Sequence, residues 1–285
     1  MTTRHKQSTF EKWLKFPLYL WAIVFVFMSL LYVVGLSFFL RDDVIGVSNT
    51  FTLSNYQRLA DEKYLRVLLN SVQLAVVTTL LCTAIGYPFG YLITRLKPTT
   101  RALIMLLLII PFWTNALIRM YGWRILLLAT GPINTFLKYI GIIQRPLKLL
   151  YSDGAVLLGM VYGLLPFMIL PCYSSVEKMD FSVVEASRDL GASPLKAFFT
   201  ITVPLTLPGL MTGCVLVFIP SMGLFFINDL LGGSKSVLAG GLIRNLINAR
   251  DLPLAAALSI VLLSMTGVVI FFQRKLGGSN EMNMI

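Results

Sequence analysis

Six stretches of this chain contain no charged residue: 17–40, 67–94, 102–118, 154–176, 197–228 and 252–273. A helix needs ~20 apolar residues to cross a bilayer, and one Lys, Arg or Asp at mid-span costs about 2.5 to 3.5 kcal/mol. Uninterrupted runs of this length therefore fit lipid better than a water-soluble core. With a hydrophobic share of 56% and a charged share of 13%, and a mean hydropathy of +0.79, the chain reads as an all-α polytopic membrane protein with six transmembrane helices. The third run, 102–118, is short, and the fifth is overlong.

The net charge of +11 would raise the question of nucleic acid in a soluble protein. Here the basic residues flank spans, and no nucleic-acid role is expected. Lys and Arg divide evenly between the two sides, so local density sets the orientation. Arg4, Lys6, Lys12 and Lys15 precede the first run, and Arg95, Lys97 and Arg101 crowd one short connection, whereas the 41–66 loop balances its bases with Asp42, Asp43, Asp61 and Glu62. Both termini are expected in the cytoplasm. The first run is too long for a signal peptide and no small-residue cleavage site follows it. Cys82, Cys172 and Cys214 all fall within spans without a metal-type spacing and read as apolar packing.

Chemistry is excluded by inventory. The one histidine, His5, is in the tail, no carboxylate pair occupies a span, and the sequence Gly232-Gly233-Ser234-Lys235 is not a phosphate-binding loop. The chain is not expected to be an enzyme, to need a cofactor or to bind a metal. Any ATP hydrolysis belongs to another subunit.

The most strongly punctuated polar interval is 180–204. Ser182 and Glu185 have the spacing of a capping box, Gly191 supplies a left-handed stop, and Ser193-Pro194 starts a second helix. The prediction is an eight-residue helix, a glycine turn, and a helix running into the fifth span near Pro204. Prolines 166, 171, 208 and 220 predict distortion in the spans on either side, and Gly86, Pro88 and Gly90 predict a bend in the second.

The string Glu185, Ala186, Ser187, three residues, Gly191, nine residues, then Ile201, Thr202, Val203 and Pro204 resembles the coupling motif of permease subunits of ATP-binding-cassette importers. It departs from the family pattern at Ser187 and Val203, both conservatively. FTLSNYQRL (51–59) also resembles that family, at the point where its core begins, and PFWTNALIRMYGW (111–123) and the Asp229, Leu, any residue, Gly-Gly pattern resemble its spermidine and putrescine branch.

The resemblance implies the type I importer-permease fold with a cytoplasmic coupling-helix loop. It implies a tail (1–16), a flanking first helix (17–40), a core at 67–273 and a second cytoplasmic tail (274–285). The core would have spans at about 67–94, 102–118, 154–176, 204–228 and 252–273, with the coupling loop at 177–203. The implied partners are an ATP-binding subunit in two copies, a second homologous permease, a periplasmic polyamine-binding protein and the lipid of a bacterial inner membrane. Glu185, Ala186, Ser187, Gly191 and Pro204 would contact or shape the ATPase interface.

A polyamine path needs aromatic faces and carboxylates rather than arginines. Trp113, Tyr87, Tyr91, Phe225 and Asp229 are the candidates, each of which could instead face lipid or a neighbouring helix. Arg119, Tyr121 and Trp123 read as an interfacial anchor. The rival readings are a permease for ferric iron, an oxyanion or another small solute, and, from another class, a membrane-embedded enzyme.

Overall fold

The computed structural model describes residues 17, 19–42, 46–233 and 237–277. The tail 1–16, Asp43, Ser234, Lys235 and the tail residues 278–285 lie outside the described residues, and with them His5 and the basic residues of the N-terminus. Helices α1 (Tyr19–Ser37), α3 (Glu62–Thr94), α7 (Asp153–Glu177), α9 (Pro194–Gly223) and α12 (Leu252–Gly277) are long and apolar enough to cross a membrane. Between them stand α2 (Ser54–Leu59), α4 (Pro98–Ile109), α5 (Ala116–Leu127), α6 (Pro132–Tyr139), α8 (Ser182–Asp189), α10 (Phe225–Ile227) and α11 (Ala239–Asn248).

The third apolar run is not one helix. Pro98 opens α4 at its first position, and a 3₁₀ turn over Ile110–Trp113 closes it. Pro111 offers no N–H to continue the ladder, Thr114 is extended, and the Asn115 side chain accepts from Leu117 N at 2.8 Å to start a new helix. The axis turns by 95° between Pro98–Trp113 and Ala116–Tyr139. Asn115 is thus a helix cap. The other prolines behave differently, since α3, α7 and α9 continue through Pro88, Pro166, Pro171, Pro208 and Pro220.

The chain forms two compact units. One comprises residues up to Tyr64 together with Ile243–Leu263, and the other Leu65–Leu242 with the segment from Ser264 onward. In the first, the loop after α1 forms a two-stranded antiparallel pair, β1 (Phe39–Leu40) with β2 (Ser48–Phe51), a small departure from an all-helical expectation. Stacked rings of Phe38 and Phe51, 5.2 Å apart, hold it. Buried Asn55 of α2 donates to the carbonyls of Ser37 and Phe39.

Asp251 anchors the other half of this unit. It is 2% exposed, pairs with Arg58 at 2.8 Å and Arg41 at 3.7 Å, and accepts from Leu254 N as the cap of α12. Burial alone would lower the Arg58 guanidinium, but the hydrogen bond and charge of Asp251 override it and hold it above its ordinary value. Removing one partner of a fully buried pair costs ~3 to 5 kcal/mol. Arg58 is 40% exposed, so Asp251→Ala is expected to cost about 2 kcal/mol and to lower the thermal unfolding midpoint in detergent. Asp251→Asn, which keeps the cap oxygen, should lose less.

In the second unit the spans on either side of α8 pack most extensively, α7 along α9. A Cβ on Gly209 would stand 2.3 Å from Ser175 Cβ and 2.7 Å from Pro171 O, and one on Gly213 would meet Met168 Sδ at 2.7 Å. Gly209 and Gly213 thus form a small-xxx-small contact that lets two backbones approach. Gly86 and Gly90 of α3 do the same on another side of α7. Cβ atoms there would fall 2.8 Å from Met168 Cγ and 3.1 Å from Tyr173 N. The second-span glycines serve close packing, where a bend is the sequence expectation. Cys82 and Cys172 are buried in this core and Cys214 packs against it.

Candidate functional site

Local chemistry builds the α8 loop. Ser182 is the first residue of α8 and not its cap. Phe181 occupies the cap position without a side-chain bond, and the Asp180 carboxylate accepts from Ser182 N at 2.9 Å. That backbone hydrogen bond holds the Asp180 carboxyl below its ordinary value. The Ser182–Glu185 capping box expected from spacing therefore does not form, because an acid two residues upstream takes the amide.

The stop is as the sequence predicts. Gly191 has φ +89°, its N–H donates to Arg188 O at 2.9 Å, and Ala192 N donates to Ser187 O at 3.0 Å. These two bonds are the Schellman closure, which satisfies carbonyls that an eight-residue helix would leave open. Ser193 then caps the next helix by accepting from Lys196 N at 3.3 Å, with Pro194 at its first position. From Pro194 the chain stays helical to Gly223, through a π-turn at Phe198–Thr202.

Only Val184 of α8 is buried. Glu185, Ala186, Arg188, Asp189 and Leu190 are exposed, Ser187 is half-buried, and Pro204 is exposed at the start of the span. Glu185, Arg188, Gly191 and Pro194 border a shallow cleft of about 460 Å³. The loop presents a charged, solvated face and is held by few contacts from behind.

Those contacts involve residues the sequence reading passed over. The Arg95 guanidinium lies 4.2 Å from the Phe181 ring centroid and 5.3 Å from that of Tyr91. Arg101 pairs with Glu177 at 2.9 Å, and Tyr173 donates to the same carboxylate oxygen. Phe198 of the π-turn takes the edges of Tyr87 and Tyr91 at 5.8 and 5.6 Å. The clustering of Arg95, Lys97 and Arg101 carries a signal in sequence, but of topology only. Phe181, against Arg95, and Glu177, against Arg101, each lie more than seventy residues away in the chain.

The five path candidates do not form one site. Tyr87 is buried, its hydroxyl 2.6 Å from Thr206 Oγ1, and it lies with Tyr91 at the α8 end of the unit. Trp113 is 80% exposed at the 95° bend. Phe225, stacked edge-on with Phe226, and the exposed Asp229 lie beyond the break at Leu224. About 37 Å of α7 separates that end from the α8 loop, by 25 residues at ~1.5 Å each.

Arg119 and Trp123 both pack against neighbouring rings. The Arg119 guanidinium sits over the rings of Phe112 and Tyr162 at 4.9 and 5.7 Å, and Trp123 packs edge-on against Tyr162. Tyr121 remains exposed.

The sequence family described as the inner membrane component of binding-protein-dependent transport systems matches residues 9–277. The chain is 47% identical over 251 residues to the spermidine/putrescine transport system permease protein PotB of Escherichia coli (strain K12), covering 88% of this chain and 91% of that protein. It is 41% identical over 265 residues to the protein of the same name from Haemophilus influenzae, covering 93% of each. A crystal structure of a bacterial ABC transporter involved in the import of the acidic polysaccharide alginate superposes with a TM-score of 0.75, over 94% of this chain and 96% of that one, at 15% identity. That likeness concerns fold, and the fold is the type I permease fold of ABC importers. The chain belongs to the family of inner membrane components of binding-protein-dependent transport systems.

Proposed function

We propose that the chain is one permease subunit of an ATP-driven importer of spermidine or putrescine. The reading is carried by the 47% identity, over 88% of the chain, to a permease whose name states that transport. A periplasmic binding protein would deliver the polyamine, and a second, homologous permease would complete the path. Two copies of an ATP-binding subunit would drive it.

The α8 helix is the natural docking element for the ATPase. It is closed at both ends by its own hydrogen bonds, so it keeps its shape while exposing Glu185, Ala186 and Arg188. Displacement of α8 would reach the path through the unbroken helix Pro194–Gly223. In this reading the core extends over 67–273, the loop 177–203 faces the cytoplasm, and the even number of spans puts both termini on that side. Trp113, Tyr91, Phe225 and Asp229 remain the path candidates, with Tyr87 supporting them from the helix packing.

Co-expression with the three partner types and reconstitution into liposomes tests the proposal. ATP-dependent uptake of labelled spermidine or putrescine is the expected result, and uptake of neither would overturn it. In the same assay Asp229→Asn is expected to lower uptake by about tenfold, equivalent to ~1.4 kcal/mol. Unchanged uptake would return Asp229 to a structural role at the helix end.

A further inference from the structure

We infer that a cleft of about 410 Å³ at the end of α7 remote from α8 is a binding site for the alkylammonium substrate, with Asp153 as its charged group. This deepens the polyamine reading and rests on it.

The lining comes from three elements. From α3 come Asn70, Gln73 and Val77, spaced by three and four on one helical face. From α7 come Asp153 and Leu157, again four apart. Asn228 comes from the π-turn Asn228–Gly232. Asn70 and Gln73 are exposed polar side chains on an apolar span. Polar groups in such helices are unfavourable against lipid and belong to water-filled or protein-lined space. Asn228 is 3% exposed in a segment whose hydrogen-bond register departs from the regular helix, and π-turns within helices recur at functional positions. Gly232 is required beside it, since a Cβ there would lie 2.6 Å from Asn228 Oδ1 and 2.7 Å from Val156 Cγ2.

The composition of the lining fixes the ligand chemistry. It holds one carboxylate, three carboxamides and no lysine or arginine. Carboxamides can donate to an anion or accept from a cation, so the Asp153 carboxylate decides: it repels an anion and gives an ammonium group a charged partner, with carboxamide oxygens to accept its remaining N–H bonds. Val77 and Leu157 offer apolar surface for the methylene spacers between nitrogens. The volume is within the range of small-molecule sites, roughly 300 to 1,000 Å³. Asp229, the acid singled out in sequence, does not line this cleft; its neighbour Asn228 does.

The reconstituted complex provides the test. Asp153→Asn should lower spermidine uptake by about tenfold or more, and Asp153→Glu should restore it to within about threefold of wild type. Chain abundance in the liposomes is measured for each variant. Independently, Gln73→Cys should react with a cationic methanethiosulfonate reagent, and spermidine should slow that reaction. The unsubstituted chain, with its own cysteines buried or half-buried, sets the background. Wild-type uptake by inserted Asp153→Asn, or labelling of Gln73→Cys that spermidine does not slow, overturns the site while leaving the polyamine reading intact. Failure of the unaltered complex to import any polyamine removes the reading and the site together.

Discussion

Gly191→Val is expected to cut ATP-driven uptake at least about tenfold while leaving the chain inserted in the membrane. Gly191 sits at φ +89°, and a Cβ there would meet nothing within 4 Å. The penalty is therefore conformational: an L-residue in the left-handed region costs roughly 1 to 2 kcal/mol, and a β-branched one is a genuine outlier there. Losing the turn also frees the carbonyls of Ser187 and Arg188. An isolated helix of eight residues is marginal in water, and α8 has only Val184 buried to hold it, so the loop should lose its shape before the spans do. Gly191→Asn, whose side chain tolerates the left-handed region, should keep most of the uptake. The measurements are uptake, abundance in the membrane, and stimulation of ATP hydrolysis by the binding protein. If the valine variant transports at the wild-type rate, α8 is not the coupling element.

Gly209→Ala should act on the other link, the folded state of the helical unit. Its Cβ would fall 2.7 Å from Pro171 O, a backbone atom within a continuous helix that has nowhere to retreat. The helices must separate, and overpacking of this kind costs about 1 to 3 kcal/mol. Gly213→Ala should be milder. Its shortest contact is with Met168 Sδ, part of a flexible side chain, and the Met168 backbone stands at 3.3 Å. The expected order of thermal midpoints in detergent is wild type, then Gly213→Ala, then Gly209→Ala. Ser175→Gly should rescue Gly209→Ala only in part, because it relieves the Ser175 contact and leaves Pro171 O in place. The reverse order for the two glycines would mean that the α7–α9 contact is softer than its geometry implies.

These cases also show which parts of the molecule could be read in advance. The glycine turn and the Ser193-Pro194 start are local: each is fixed by the φ preference or hydrogen bonding of residues within four positions, and sequence carries that information. The Ser182–Glu185 box is equally local yet fails, because Asp180 competes for the same amide and spacing rules do not rank competitors. The apolar run 102–118 gives no sign of its 95° turn beyond Pro111, a residue that α3, α7 and α9 accommodate without breaking. What differs is Asn115, which supplies a new cap just after the break. The contact between Arg95 and Phe181 and the cleft around Asp153 depend on which distant helices meet, and hydropathy is blind to that. Asp153 begins a span, where polar residues are expected, so sequence alone does not distinguish it.

The glycine contacts on α7 have a mechanical consequence. α3 and α9 both approach the Met168–Ser175 stretch through glycines, tightly at Gly90 and at Gly209 too closely for any side chain. Sliding either helix by one residue, ~1.5 Å, would push a side chain against backbone. The three helices are thus locked like a splined shaft, able to tilt together but not to slip along one another. Freedom remains where the helical ladder is interrupted, at Thr114–Asn115 and at Leu224. Any reorientation at those two joints would leave the internal spacing of the shaft intact.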